Sequence, residues 1–156
     1  MTETISPALE ALYRGDAEGA YKLLPPDEEL TPYEAATFDR VERLRQLLDE
    51  DPANVMAWSP DGFTPLHGAI FGGHESTARL LIERGADLEA VSTAEIAQVR
   101  PLGTAAFVRS VPLGRILLEA GADPNGANPQ GGTPLGTARA NGDEEFAALL
   151  REFGAI

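Results

Sequence analysis

The chain has 156 residues, 43% of them apolar, which suits one domain with a real core and excludes a disordered chain. No run of about 18 apolar residues occurs, so no membrane-spanning helix is expected, and Met1-Thr2-Glu3-Thr4 lacks the basic start of a secretory signal. A formal charge of −13 leaves no basic cluster for nucleic acid or an anionic membrane, and the absence of cysteine removes disulfides and thiolate metal sites. Cytoplasmic residence is the default expectation. Lys22 is the sole lysine among many arginines and alanines, a skew expected of a GC-rich, bacterial genome.

Read in chain order, the first predicted unit is short. Ser6-Pro7-Ala8-Leu9-Glu10-Ala11 opens a helix, Gly15-Asp16 turns, Leu23-Leu24 closes a second helix, and Pro25-Pro26 ends it. Thr31-Pro32-Tyr33-Glu34 heads the next unit, which carries Leu47-Leu48 in register and ends in Pro52-Ala53-Asn54. The third is the most legible. Asp61-Gly62 is a tight-turn dipeptide, and Thr64 caps a helix with Pro65 in its first turn, where the missing N–H costs nothing. Leu66, Ala69 and Ile70 share one face, and Gly72-Gly73 ends the helix. A second helix follows His74, with Ala78, Leu81 and Ile82 inward, until Gly85.

The fourth unit departs from this pattern. Thr93–Val99 is longer than the matching loops and lacks the turn glycine, which predicts an extended finger with a helical turn through Ala94-Glu95-Ile96-Ala97. Arg100 stands where the capping threonine should be and Gly103 where the histidine should be, while Pro112 starts the second helix. The fifth unit returns to type with Gly131-Gly132-Thr133-Pro134-Leu135 and Ala140-Asn141-Gly142-Asp143.

The full heads fall at residues 31, 64, 100 and 133, a period near 33. With Thr64-Pro65-Leu66-His67 at one head and Ala120-Gly121-Ala122-Asp123 closing another unit, the chain resembles the ankyrin repeat family. The resemblance implies an all-α solenoid of stacked helix-turn-helix units with short β-hairpin or loop fingers. The expected division is one domain over 1–156. It comprises a clipped N-terminal cap at 1–30, repeats at 31–60, 61–92 and 93–128, and a last repeat at 129–156 acting as C-terminal cap.

In this family the hairpin tips and the end of each first helix line a concave groove. The matching positions hold Tyr13, Phe38, Phe71 and Phe107, an aromatic series in consecutive units, and the hairpin before Thr64 adds Trp58 and Phe63. These rings serve either as packing between neighbouring helices or as an apolar binding strip. Asp39, Asp61 and Glu34 place acid around them. Partner-binding candidates are therefore Trp58, Asp61, Phe63, Phe38, Asp39, Phe71 and Phe107. The partner that fits them is a protein with apolar anchors and a basic rim.

His67 and His74 fall at positions where such a family keeps structural histidines. No catalytic triad spacing, phosphate loop or paired metal-ligand motif appears, so neither enzyme activity nor any cofactor or metal is expected. A small-molecule binder or unconventional enzyme using the same groove, through Glu34, Asp39, Asp61 and His67, is the alternative. Five short units predict only a shallow concavity. Self-association through the aromatic series is disfavoured by the charge, so a monomer is expected rather than a homodimer.

Overall fold

The computed structural model describes residues 4–156. It contains α1 (Pro7–Tyr13), α2 (Ala17–Lys22), α3 (Pro32–Thr37), α4 (Val41–Glu50), α5 (Pro65–Gly72), α6 (Glu75–Glu83), α7 (Pro101–Phe107), α8 (Val111–Glu119), α9 (Pro134–Ala140) and α10 (Glu144–Glu152). Consecutive helices pair, and the pairs stack: α3, α5, α7 and α9 form one layer, while α6, α8 and α10 form another. No strand is assigned among the described residues, so the fingers between pairs are loops and turns.

Each odd-numbered helix starts the same way because each head is built the same way. Ser6, Thr31, Thr64, Arg100 and Thr133 are extended N-caps, and proline follows at the first helical position. Thr31 with Glu34, and Thr64 with His67, close full capping boxes in which each side chain bonds the other residue's backbone N–H. Glu34 is thus buried in the start of α3, accepting from the N–H and hydroxyl of Thr31 at 3.1 Å, and is no surface acid. Arg100 makes no cap bond.

The first-layer helices are thin, carrying Ala35, Ala36, Ala69, Ala105, Ala106 and Ala138 in their buried faces, so neighbouring backbones approach closely. Gly68 shows how closely: a Cβ there would lie 2.4 Å from Thr37 Oγ1 on α3. The second helices of the pairs supply bulk through Leu44, Leu48, Leu81, Leu117 and Leu150, all buried. Burying one such leucine stabilises the fold by about 1.5–3 kcal/mol. These residues form the main core.

The N-terminal pair is different. Ala8, Leu9, Ala11 and Ala20 form a separate small cluster with Tyr33 and Phe38 from the next unit. The alanines leave room that aromatic rings fill.

Candidate functional site

Three fingers project between the helical pairs, and one latch closes each of them. The Ser59 N–H donates to the Phe63 carbonyl at 2.8 Å, that of Ser92 to Val99 at 2.8 Å, and that of Asn128 to Gly132 at 2.8 Å. In each case the same residue's side-chain oxygen accepts from the N–H at the far side, at 3.0, 2.9 and 2.7 Å. The longer insertion is therefore hung on an unchanged base. Its interior is no helical turn but an open bend at Glu95-Ile96. The Ser92 hydroxyl donates to the Ala97 carbonyl at 2.8 Å, Ala94 is buried, and Ile96 is 89% exposed. That capture of the Ala97 carbonyl pulls the segment into a loop.

The middle finger leans on the first. Gly62 has φ +91°, and its carbonyl accepts from the Thr93 N–H at 2.9 Å. A Cβ on Gly62 would meet the Ala94 backbone nitrogen at 2.7 Å, so only glycine fits both the turn and the contact.

An apolar groove of about 250 Å³ runs beneath the long finger, lined by Phe63, Phe71, Ile96, Val99, Gly103 and Phe107 among others. Its floor is the start of α7, where Gly103 carries no side chain. At the corresponding place on α5, the His67 ring fills the space and reaches the next finger, its Nε2 3.0 Å from the Val99 carbonyl. Arg100 forms part of the wall. Its guanidinium is held by Glu89 Oε2 at 2.7 Å and the Ala127 carbonyl at 3.0 Å, so its stem faces the groove while its charge is neutralised.

The candidate residues separate into four groups. Phe63, Phe71 and Phe107 converge on the groove, the last 66% exposed. Asp61 lies just outside, in an adjoining hollow, accepting a hydrogen bond from the Ser59 hydroxyl at 2.6 Å. Trp58, 47% exposed, opens on a different hollow with Thr31, Tyr33 and Pro60 and does not line the groove.

Phe38 leaves the site, and Asp39 lies apart from the groove. Phe38 is 2% exposed and packs edge-on against Tyr21 at 5.4 Å, because the small residues of α1 and α2 leave that space unfilled. Asp39 adopts φ +58° in the turn after α3, a conformation aspartate tolerates better than most residues. Its carboxylate accepts from Thr77 Oγ1 at 2.6 Å and lies 4.0 Å from His74 Nδ1. Phe38 joins two units rather than facing a partner, while Asp39 ties two repeats and keeps an exposed carboxylate.

The aromatic series is accordingly not an even ladder. Tyr13 passes over the inward-turned Phe38 and meets Phe71 edge-on at 5.7 Å, while its hydroxyl lies 2.8 Å from that of Tyr33. Tyr33 stacks on Phe63 at 6.3 Å. Burial pushes the Tyr33 phenol up to about 12. The Tyr13 phenol is pushed further, by burial first and then by Tyr33 and the Asp61 carboxylate. Both stay protonated and serve as hydrogen-bonding struts.

His74 Nε2 lies 2.9 Å from the Thr37 carbonyl, so both histidines link one repeat to another. No three His, Asp or Glu side chains converge as metal ligands among the described residues. The latch residues Ser59, Ser92 and Asn128 and the open floor at Gly103 had no place among the sequence candidates. The missing histidine at 103 was the signal for the groove. The latches carry none, since a polar residue in a loop is commonplace.

Paired helices in two stacked layers, joined by projecting fingers, define a solenoid repeat protein. The family model for ankyrin repeats, in three copies, matches residues 8–92, and the chain belongs to the ankyrin repeat family. Two curated relatives, the human and bovine proteins named ankyrin repeat domain-containing protein 49, are each 40% identical to it over 58 residues. That match covers 37% of this chain and 24% of each relative, so the chain spans about a quarter of their length. Ankyrin repeats generally serve as protein–protein interaction modules and are generally not enzymes. No described helix is long and apolar enough to cross a membrane.

Proposed function

We propose that this chain is a non-catalytic interaction module that holds a protein segment in the groove between the long finger and the starts of α7 and α9. The units from α1–α2 to α9–α10 act as one domain. The observation that carries the reading is the convergence of Phe63, Phe71 and Phe107 with Ile96 on one apolar hollow. Contiguous exposed apolar surface of this kind is a mark of interaction sites. The rigid latches beneath the fingers keep the ordering cost of binding low. Trp58 extends the contact along the fingers, and the charge of −13 favours a partner with a basic rim.

A photo-crosslinking residue in place of Phe107 tests this in the native host. It should trap a protein partner, whereas the same residue in place of Arg79, exposed on α6 in the other layer, should not. Equal trapping from both positions, or none from position 107, overturns the reading. A bound metabolite that recovers with the purified protein and blocks position 107 would favour the small-molecule alternative.

A further inference from the structure

Resting on that reading, we infer that the groove takes an extended segment carrying a large apolar side chain and, two residues away, an arginine or lysine. The apolar residue fills the space above Gly103, and the basic one enters the neighbouring hollow between Asp61 and Glu95.

The first half of the inference comes from size and lining. At about 250 Å³ the groove exceeds the roughly 150 Å³ of an engineered apolar cavity that holds a benzene ring. It falls below the roughly 300–1,000 Å³ of pockets that enclose drug-sized ligands. One leucine, methionine or phenylalanine side chain suits it better than a whole small molecule. Arg100 adds no free charge, since Glu89 already holds it.

The second half comes from charge. A hollow of about 430 Å³ adjoins the groove, and Phe63 and Ile96 line both. Asp61 and Glu95 also line it, on two different fingers, together with the Tyr13 ring. Neither carboxylate is in an ion pair among the described residues. Two acids without an ion partner, Asp61 accepting only the Ser59 hydroxyl, beside the rings of Tyr13 and Phe63 suit a guanidinium or ammonium group, which gains from charge and from nearby aromatic surface. Phe63 and Ile96, common to both linings, stand between the hollows. In an extended segment, residues i and i+2 share a face about 7 Å apart, the closest same-face spacing, which suits two adjoining hollows.

The test measures fluorescence polarisation of labelled peptides against the full chain. Three sets are used, with Phe, Leu or Met followed two residues later by Arg, Ser or Glu. The Arg set is expected to bind on the order of tenfold more tightly than the Glu set, with the gap narrowing as salt rises. Gly103→Leu should abolish binding of all sets while leaving the fold intact, since a Cβ there meets only Val99 Cβ at 3.9 Å and glycine is a poor helix former. Glu95→Lys should reverse the preference between the Arg and Glu sets.

Equal binding of the three sets, or binding unaffected by Gly103→Leu, overturns the inference. Failure of every peptide while position 107 still crosslinks a partner overturns it too, and leaves the interaction module standing. Failure of both experiments removes both readings.

Discussion

His67 Nε2 lies 3.0 Å from the main-chain oxygen of Val99, tying the start of α5 to the base of the next finger. Because a carbonyl only accepts, Nε2 carries the proton and Nδ1 must accept, from the Thr64 hydroxyl at 2.7 Å and the Thr64 N–H at 3.3 Å. Only the neutral ring satisfies all three contacts. Burial first of all lowers the His67 pKa to about 4, against 6.5 in an unfolded chain.

Stability is therefore expected to fall with acidification. Between pH 6.5 and 4 the unfolded chain binds a proton that the folded ring refuses, so unfolding becomes easier as pH drops through that window. This contribution is fully present above pH 6.5, is lost progressively to about pH 4, and amounts to on the order of 3 kcal/mol. Denaturant unfolding across the window measures it. His67→Gln should lower stability at pH 7 and flatten the slope relative to wild type; parallel slopes in the two proteins would sink the assignment.

Phe38 and Phe107 occupy equivalent places in the repeat, yet their alanine variants should behave oppositely. Phe38→Ala empties the small N-terminal cluster and should cost about 3–5 kcal/mol. Phe107→Ala removes an exposed ring and should change stability by within about 0.5 kcal/mol. Urea midpoints of the two variants check the contrast, which fails if they shift alike.

Ser92→Ala should loosen the long finger without unfolding the stack. The buried hydroxyl both donates to Ala97 and accepts from the Val99 N–H, so its loss leaves two partners unmet at about 1–3 kcal/mol. Hydrogen exchange at the Val99 amide should speed up sharply while amides of α8 keep their protection. Unchanged exchange at Val99 would show that the latch does not hold the finger.

Glu89 joins two successive turns, with Oε2 on Arg100 and Oε1 accepting from the Asp123 N–H at 2.7 Å. Glu89→Ala should cost about 1–2 kcal/mol, since the pair is partly solvated, and should free the Arg100 guanidinium at the groove wall. A crystal structure of the variant with Arg100 still held against the Ala127 carbonyl and no loss of stability would contradict this.

The fold was legible because its determinants are local. A proline and a helical run of alanines and leucines recur at each head, a capping side chain at all but Arg100, and each acts within its own turn. The lining of the candidate groove was legible only where local chemistry decides position, as at Phe63 and Phe71. Phe38 was misplaced because the repeat fixes its register but not its direction. Whether a ring turns inward depends on the bulk of the neighbouring unit, and Ala8, Ala11 and Ala20 left space for it. The second role of Asp39 was illegible for a similar reason, since Thr77, which donates to its carboxylate, lies 38 residues away. The helical turn expected at 94–97 gave way to one buried hydroxyl, whose bond to Ala97 no propensity encodes.

Most stacked repeats touch only their immediate neighbours, and their ends fray independently of what happens further along. Here Tyr13, on the first helix, rests against Phe71 on the fifth and so reaches past one whole unit. Phe71 is also a wall of the groove. Peeling away the N-terminal pair would therefore strip support from that wall. By linkage, whatever seats itself against Phe71 also keeps the front of the stack closed, so occupancy should be readable as protection of amides in α1 and α2, remote from the ligand.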